Sequence, residues 1–232
     1  MRVSVIVPAY NEKKLLPGCL ESLKSQSHPC EIVVCDNGST DGSIKIASKY
    51  ADKVVVEKRR GALFALNTGL QNASGDLLAI TGADCIVPPD WVETFVKQFG
   101  KHDVIGCYGP VDPLEDRHGR YFSLMNYAEK ACIRLGLWFV IQGANFMVRK
   151  EIMEKAGYFD PSVEVFEENG MFRKIKKLGK VRFVSKNPIK ASTRRVDECG
   201  KLHLILFGLR QMLSLTVSRR TDTSRFKVVR QC

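Results

Sequence analysis

Short apolar runs rich in β-branched residues alternate with segments of helical hydrophobic spacing through the first 81 residues. The predicted strands are residues 3–10, 31–35, 53–57 and 76–81, and the predicted helices are residues 13–27, 43–50 and 61–73. Strands that alternate with helices predict βαβ units. Because the strands are apolar throughout, we expect an α/β fold whose mainly parallel sheet is covered by helices on both faces.

The second half of the chain has a less regular pattern of apolar and polar positions. It predicts strands at 105–111 and 180–185, a strand–loop–strand unit at 139–150, and helices at 120–136 and 167–179. A last segment, 202–220, spaces its apolar residues as an amphipathic helix with basic flanks. With about 16 helical residues and Arg210 inside it, this segment is a poor membrane span.

Polar and turn-forming residues follow three of the predicted strands, at 8–12, 36–41 and 82–84. Open α/β sheets bind ligands beyond the carboxyl ends of their strands, so these three loops predict a site. Asp84 supports this prediction, because a carboxylate at the end of a buried strand is costly unless it binds something.

The positive charge is concentrated near the carboxyl end of the chain. Of the net charge of +11, residues 171–232 hold 17 lysines and arginines against 3 acidic residues. Such a segment suits anionic lipid, nucleic acid or a phosphorylated substrate, or it is a solvated basic surface. Since no nucleic-acid recognition motif accompanies it, we predict no nucleic-acid partner.

Cysteine usage and the start of the chain predict a cytoplasmic location. The eight cysteines lack zinc-type spacing and mostly lie in apolar runs, where they are expected to be buried and reduced. Met1 and Arg2 lead directly into an apolar run that is too short for a signal peptide.

Four segments together resemble the family-2 glycosyltransferases with the GT-A fold. They are "VIVPAYNE" (5–12), "EIVVCDNGSTDGS" (31–43), "ALNTGLQNASGDLLAITGAD" (65–84) and "QGANFMVRKEIMEKAGYFD" (142–160). The resemblance implies a Rossmann-like, mainly parallel sheet with flanking helices. We therefore predict a GT-A domain at residues 1–190, followed by a basic amphipathic helix and tail at residues 191–232.

The resemblance implies metal-dependent, inverting transfer of a sugar from a nucleotide-sugar, with a UDP-sugar favoured, to a hydroxyl acceptor. The acceptor would be a saccharide or a lipid-linked molecule in polysaccharide, glycolipid or lipid-linked oligosaccharide synthesis. It further implies nucleotide contacts, with Asp36 reading the base. The predicted nucleotide-binding residues are Pro8, Ala9, Tyr10, Glu12, Asp36 and one of the basic residues 58–60, for which Arg60 is the candidate.

Asp84 matches the last acidic residue of the family's Asp-x-Asp motif, which implies a role in holding Mg²⁺ or Mn²⁺. These ions take hard oxygen ligands, and a diphosphate would supply some of them. Gly82 stands where the family usually has the first aspartate. We expect this loss to weaken donor binding, and an aspartate restored there to tighten it if the loop can hold the side chain.

Glu167 and Glu168 match the Glu-Asp pair of a second family motif, while Gly170 stands on its second aspartate. Inversion needs a base for the acceptor hydroxyl, and Glu168 is the candidate, with Glu167 the alternative. Arg194 and Arg195 follow the last predicted strand and are candidates for phosphate binding, or else form a basic surface turn.

Two interpretations stay open. Gly82 and Gly170 favour a degenerate, non-catalytic relative that still binds a nucleotide, whereas Asp36, Asp84 and the two glutamates favour an enzyme. The amphipathic helix either lies on an anionic membrane surface, making the protein peripheral on the cytoplasmic face, or docks on the catalytic domain.

Overall fold

The computed structural model describes residues 1–100, 103–134, 143–162 and 167–206. The strands are β1 (Val3–Ala9), β2 (Cys30–Asp36), β3 (Lys53–Val56), β4 (Leu77–Ile80), β5 (Cys85–Ile86), β6 (Val104–Tyr108), β7 (Val111–Pro113), β8 (Phe146–Arg149), β9 (Lys180–Phe183) and β10 (Ile189–Ala191). The α-helices are α1 (Leu16–Lys24), α2 (Ser43–Tyr50), α3 (Ala62–Asn72), α4 (Trp91–Val96), α5 (Gly119–Arg134), α6 (Lys150–Ala156), α7 (Glu167–Leu178) and α8 (Arg194–Cys199). Short 3₁₀ helices occupy Lys97–Gly100 and Asp116–His118.

The main sheet has seven strands in the order β3-β2-β1-β4-β8-β6-β9. All its neighbouring pairs are parallel except those of β8, which runs antiparallel to both β4 and β6. The α/β fold with a mainly parallel sheet, expected from the sequence, is confirmed. The reversed β8 was not expected, because a short apolar run does not reveal its direction.

Both faces of the central strand β1 are buried, which explains its unbroken apolar sequence. Val5 and Val7 pack into one hydrophobic cluster with the buried residues of α1, whereas Ile6 packs into a second cluster with those of α3. Successive side chains of a strand point to opposite faces, so each face needs its own apolar residues. The second cluster also takes in α6 and α7, which cover the same face as α3.

A second, three-stranded sheet in the order β5-β10-β7 lies next to the end of β4. The strand β10 pairs with β5 and β7, and the amide N of Ser192 donates to the carbonyl O of Asp84 at 3.1 Å. These strands are only two or three residues long, too short for a periodic pattern to predict them. The small sheet brings residues 189–194 to the carboxyl edge of the main sheet. These residues lie on both sides of position 190, the boundary expected between the domain and the tail.

Most predicted elements occur close to their expected positions, with differences in the second half. The run at 105–111 is divided into β6 and the start of β7. Of the predicted strand–loop–strand unit at 139–150, the second strand forms β8, and residues 139–142 lie outside the described residues. Of the predicted C-terminal helix, residues up to 206 are helical and 207–220 lie outside the described residues. None of the described helices is both long and apolar enough to cross a bilayer.

Candidate functional site

The register of the parallel strands brings the polar loops after β1, β2 and β3 to one edge of the main sheet. Ala9 lies opposite Asp36, which in turn lies opposite Val56. Hydrogen bonds tie the first two loops together, because the amide N of Asn11 donates to Ser39 Oγ and that of Glu12 to Ser43 Oγ, both at 2.9 Å. The loop after β4 continues the same edge and carries Asp84.

Asp36 is a buried carboxylate whose two oxygen atoms differ in their hydrogen bonding to the described residues. Its Oδ2 accepts from the amide N atoms of Gly38 and Ser39, each at 2.9 Å. Its Oδ1 is also buried and has no hydrogen-bond partner in the described part of the chain. Because an unsatisfied buried acceptor is costly, this oxygen is suited to accept a hydrogen bond from a ligand.

Asn37 organises the basic loop after β3, a role that the sequence did not reveal. Its Nδ2 donates to the carbonyl O atoms of Glu57 and Arg59, at 3.1 and 2.7 Å, and its Oδ1 accepts from the amide N of Gly61 at 2.9 Å. The only sequence signal was the turn-forming Asp-Asn-Gly-Ser stretch that contains it. The contacts hold residues 57–61 against the loop that carries Asp36.

Within that basic loop, one arginine is already paired with a carboxylate. Arg59 Nη2 lies 2.7 Å from Glu57 Oε2, which also accepts from Thr68 Oγ1 at 2.7 Å. The hydrogen bonds from Arg59 and Thr68 lower the pKa of Glu57 to about 2. Lys58 and Arg60 are exposed. Exposure does not distinguish between these two residues, so Arg60 stays a prediction for nucleotide contact.

Arg194 joins the loops after β1 and β4 in one ion-pair cluster. Its Nη1 lies 2.9 Å from Glu12 Oε2, and its Nη2 donates to both Glu12 Oε1 and Asp84 Oδ2, the latter at 3.2 Å. The guanidinium reaches this position because β10 places the start of α8 beside the end of β4. The neighbouring Arg195 is exposed, so the structure puts only one of the two candidate arginines among the site carboxylates.

The cluster places two carboxylates around one guanidinium. Burial raises the pKa of Glu12, outweighing the hydrogen bond and the charge of Arg194, which lower it. Burial would lower the pKa of Arg194, but its hydrogen bond to Glu12 and the charges of Asp84 and Glu12 raise it overall. With both carboxylates ionised, the cluster carries one excess negative charge, which suits the approach of a cation.

The residues present fit a divalent ion that is shared with a ligand. Among the described residues, no three His, Cys, Asp or Glu side chains form a group that could hold an ion by themselves. Asp84 and Glu12 nevertheless offer hard oxygen atoms at one edge, and Mg²⁺ is often bound by one or two carboxylates together with phosphate oxygens and water. An ion at Asp84 would be completed by a diphosphate.

Gly82 lies against the Asp84 carboxylate. A Cβ at position 82 would lie 2.6 Å from Asp84 Oδ1 and 3.1 Å from Cys85 Sγ. Any side chain here would therefore push the carboxylate out of its position. The glycine allows a close approach between the backbone and Asp84, a physical reason that the family motif did not suggest.

We expect Gly82→Asp to weaken metal-dependent binding of UDP by about 3- to 10-fold, the scale of one lost polar interaction. The reason is displacement of Asp84, so Gly82→Ala, which adds only the Cβ, should act in the same direction. Calorimetry with and without Mn²⁺ measures this effect. Tighter binding by Gly82→Asp would restore the expectation drawn from the family motif.

The remaining candidates are placed by the backbone of β1 and α7. Pro8 and Ala9 end β1, and Tyr10 follows them, half-buried. Glu167 and Glu168 begin α7, and their side chains lie outside the part that the structure describes. One turn further along α7, the Phe172 ring packs edge-on against Tyr108 at the end of β6, with centroids 5.1 Å apart. The first turn of α7 is therefore near the carboxyl end of β6.

Glu129 is a buried acid that the sequence pattern did not single out. It lies on α5, is 1% exposed, and its Oε1 has no hydrogen-bond partner among the described residues. Burial raises its pKa to about 8. Burial is the main cause that raises the pKa of Tyr108, and the charge of Glu129 is the second cause. The two groups are therefore close.

A mainly parallel sheet with carboxylates and an arginine at its carboxyl edge defines a ligand-binding α/β protein of the Rossmann-like class. The family model described as "Glycosyl transferase family 2" matches residues 4–157, and the chain belongs to this family. The resemblance noted in the sequence is thereby confirmed.

Relatives with known names and structures agree with this assignment. Glycosyltransferase AglE of Haloferax volcanii is 32% identical over 170 residues, covering 68% of this chain and 55% of its own. The chain thus spans about half of that relative. The mannosyltransferase PcManGT from Pyrobaculum calidifontis, in complex with GDP-Man and Mn²⁺, has a TM-score of 0.66 and 25% identity, covering 90% of this chain and 64% of its own. Glucosyl-3-phosphoglycerate synthase from Mycobacterium tuberculosis, in complex with Mn²⁺, UDP and glucosyl-3-phosphoglycerate, has a TM-score of 0.70 and 22% identity. The match covers 96% of this chain and 81% of the synthase chain.

Proposed function

We propose that the protein transfers a sugar, with inversion, from a nucleotide-sugar to the hydroxyl of a saccharide or lipid-linked acceptor. A UDP-sugar is the favoured donor, and the reaction uses Mg²⁺ or Mn²⁺. The product would belong to polysaccharide, glycolipid or lipid-linked oligosaccharide synthesis. Family membership and two structural relatives named with a nucleotide or nucleotide-sugar and Mn²⁺ support the proposal.

The observation that carries the proposal is the free Oδ1 of Asp36. An ionised carboxylate accepts hydrogen bonds and donates none. Uracil presents an imide N–H and guanine a lactam N–H that can donate to it, whereas adenine and cytosine present a ring acceptor at the corresponding position. Because the backbone bonds from Gly38 and Ser39 already hold Oδ2, the carboxylate is oriented before the ligand arrives. The site therefore favours UDP or GDP over ADP and CDP.

The diphosphate would lie between Asp84 and Arg194. Asp84 provides the carboxylate for the ion, while Arg194 can donate two parallel hydrogen bonds to phosphate oxygens. When bound, the ion would neutralise the negative charge that builds up on the leaving diphosphate. Arg60 and Arg195 are further candidates for contacts with the nucleotide and its phosphates.

The acceptor would enter from the side of α7. Glu168, with Glu167 as the alternative, takes the proton of the acceptor hydroxyl while that oxygen attacks the anomeric carbon. The position at the start of a helix favours the ionised carboxylate through the helix dipole. The base and the diphosphate then act on opposite faces of the sugar, as inversion requires.

A donor panel tests the proposed function. Purified protein with Mn²⁺ should bind UDP or GDP and not ADP or CDP in calorimetry. The matching nucleotide-sugars should release nucleoside diphosphate slowly, even without an acceptor. Nucleotide binding without any turnover, for every sugar and acceptor tried, would support the non-catalytic interpretation. Failure to bind any nucleotide would refute both.

Asp36→Asn should weaken UDP binding by about 10- to 100-fold, since the lost hydrogen bond has a charged acceptor. The asparagine Oδ1 can keep the two backbone bonds, so its amide NH₂ would face the ligand and oppose the imide N–H. The loss should be the same without metal, and relative affinity should shift toward CDP. Calorimetry with both nucleotides measures this change. The exposed Glu151→Gln is a control, and unchanged UDP affinity in Asp36→Asn would contradict the base-reading role.

We further propose that the basic carboxyl-terminal segment binds an anionic membrane surface on the cytoplasmic face. The full chain should sediment with vesicles containing anionic phospholipid and come off at high salt, because salt screens exposed charges. A chain ending at Leu206 contains all the residues that the structure describes and should stay in the supernatant. Equal sedimentation of the two chains would favour docking of the segment on the catalytic domain.

A further inference from the structure

The Asp84 carboxylate is paired with a cationic side chain of the protein itself. Arg194 lies 110 residues from Asp84 and 182 residues from Glu12 along the sequence, yet it bonds to both. In the sequence, its place after the last predicted strand made this arginine a candidate for phosphate binding. The structure instead shows it at the carboxylate proposed for the divalent ion, so its first effect is on the ion.

The Asp84 side chain is 28% exposed, and both of its carboxylate oxygens already have protein neighbours. Its Oδ2 accepts from Arg194 Nη2 at 3.2 Å, and its Oδ1 lies against Gly82, where even a Cβ would be 2.6 Å away. An ion that binds Asp84 in the absence of nucleotide would meet the positive guanidinium at the same carboxylate. Like charges so close together repel strongly in a half-buried site.

Glu12 holds Arg194 in the site independently of Asp84. It accepts from both Nη atoms of the arginine, and its own amide N donates to Ser43 Oγ at 2.9 Å. The single bond to Asp84 is longer than the 2.9 Å bond from Nη1 to Glu12. The guanidinium can therefore leave Asp84 while it keeps a partner in Glu12.

We propose that Arg194 is a positioning residue that occupies the cation position at Asp84 until a diphosphate draws it away. This inference rests on the proposed function. The negative phosphates offer the guanidinium a new partner, and its departure exposes Asp84 to the divalent ion. The nucleotide and the ion consequently bind with positive cooperativity, and Arg194 is the residue that couples them.

Thermodynamic linkage makes the coupling reciprocal. If UDP raises the affinity for Mn²⁺ by some factor, then Mn²⁺ raises the affinity for UDP by the same factor. Direct contact between the ion and the phosphates also contributes to this factor. Those contacts exist only when the nucleotide is bound. Arg194, in contrast, lowers the affinity for Mn²⁺ in the nucleotide-free protein, so that affinity is the diagnostic quantity.

The experiment measures Mn²⁺ binding to nucleotide-free protein by the decrease of the free-ion signal in electron paramagnetic resonance. Arg194→Gln should tighten this binding by about 5- to 100-fold, the usual range of coupling between sites. Lys190→Gln removes the same charge from an exposed position on β10 and should leave Mn²⁺ affinity near that of the wild type. Adding Asp84→Asn to Arg194→Gln should abolish the gain, which assigns the gain to Asp84.

A second measurement follows UDP binding by calorimetry with and without Mn²⁺. The wild type should show strong coupling, whereas Arg194→Gln should bind UDP more weakly and show a smaller effect of the ion. Arg194→Lys keeps the charge but lacks the two Nη groups. Its UDP affinity, and the effect of Mn²⁺ on that affinity, should lie between those of the wild type and Arg194→Gln. It serves as the second variant if the glutamine disturbs folding, which circular dichroism would reveal.

The outcomes separate this inference from the proposed function. Unchanged or weaker nucleotide-free Mn²⁺ binding in folded Arg194→Gln and Arg194→Lys would overturn the role of Arg194, even if UDP binds normally. An equal gain in Lys190→Gln would also overturn it, since net charge alone would then explain the effect. If the wild type binds no nucleotide but Arg194→Gln gains Mn²⁺ at Asp84, the arginine does occupy the cation position and the proposed function fails.

Discussion

Replacing Glu168 by glutamine should lower kcat by roughly 10²- to 10⁴-fold while leaving donor affinity almost unchanged. Glutamine keeps the size and hydrogen-bonding capacity of the side chain but cannot take the proton of the acceptor hydroxyl. Glu168 lies in the first turn of α7, one turn before Phe172, which packs against Tyr108 at the end of β6. Rates with a saturating acceptor, together with UDP titrations, separate loss of catalysis from loss of binding.

The adjacent Glu167→Gln is the matched control for this prediction. It makes the same chemical change one residue away and should lower kcat much less. The reverse order of effects would transfer the role of base to Glu167. If both variants turn over an acceptor at the wild-type rate, neither carboxylate is the base.

Replacing Glu129 by glutamine should stabilise the protein at neutral and alkaline pH and remove a pH dependence of its stability. Burial raises the pKa of Glu129 from 4.5 to about 8 in the folded protein. Its contribution to stability is thus fully present below about pH 4.5 and is lost as the pH rises through about 8. Between these values the free energy of unfolding should fall by about 1.4 kcal/mol per pH unit.

Urea unfolding at several pH values measures this effect. At pH 7.5 Glu129→Gln should raise the free energy of unfolding by roughly 2–4 kcal/mol, because glutamine resembles the neutral acid and never ionises. The exposed Glu151→Gln on α6 makes the same change in formal charge and should alter stability by less than about 0.5 kcal/mol. Parallel pH profiles of wild type and Glu129→Gln would show that Glu129 is not buried in its neutral form.

The sequence was sufficient to predict the first half of the fold. A strand buried on both faces must be apolar throughout, and a helix that covers it must be apolar on one side, so β1 to β4 and α1 to α3 leave a local periodic pattern. The same pattern shows where each strand ends. Asp84 could therefore be selected as a candidate site residue, because a carboxylate at the end of an apolar strand requires a partner. The role of Asp36 was implied by the family resemblance.

The sequence did not predict the pieces that complete the site. The strands β5, β7 and β10 have two or three residues each, too few for a periodic pattern, and β8 does not reveal its reversed direction. Glu129 belongs to a helix whose pattern does not identify which polar residue will be buried. Its environment, with Tyr108 nearby, exists only when α5 packs beside the end of β6.

Local patterns therefore determined the strands, the helices and the edge at which a ligand would bind. Only the tertiary structure decided that Arg194 reaches Glu12 and Asp84, and that Gly82 leaves room for the Asp84 carboxylate. The physical reason is that periodicity reports which side of an element is buried, over a few residues at a time. Contacts between residues more than a hundred positions apart depend instead on how the elements pack, and here they depend on the short strand β10, which brings α8 to the edge of the main sheet.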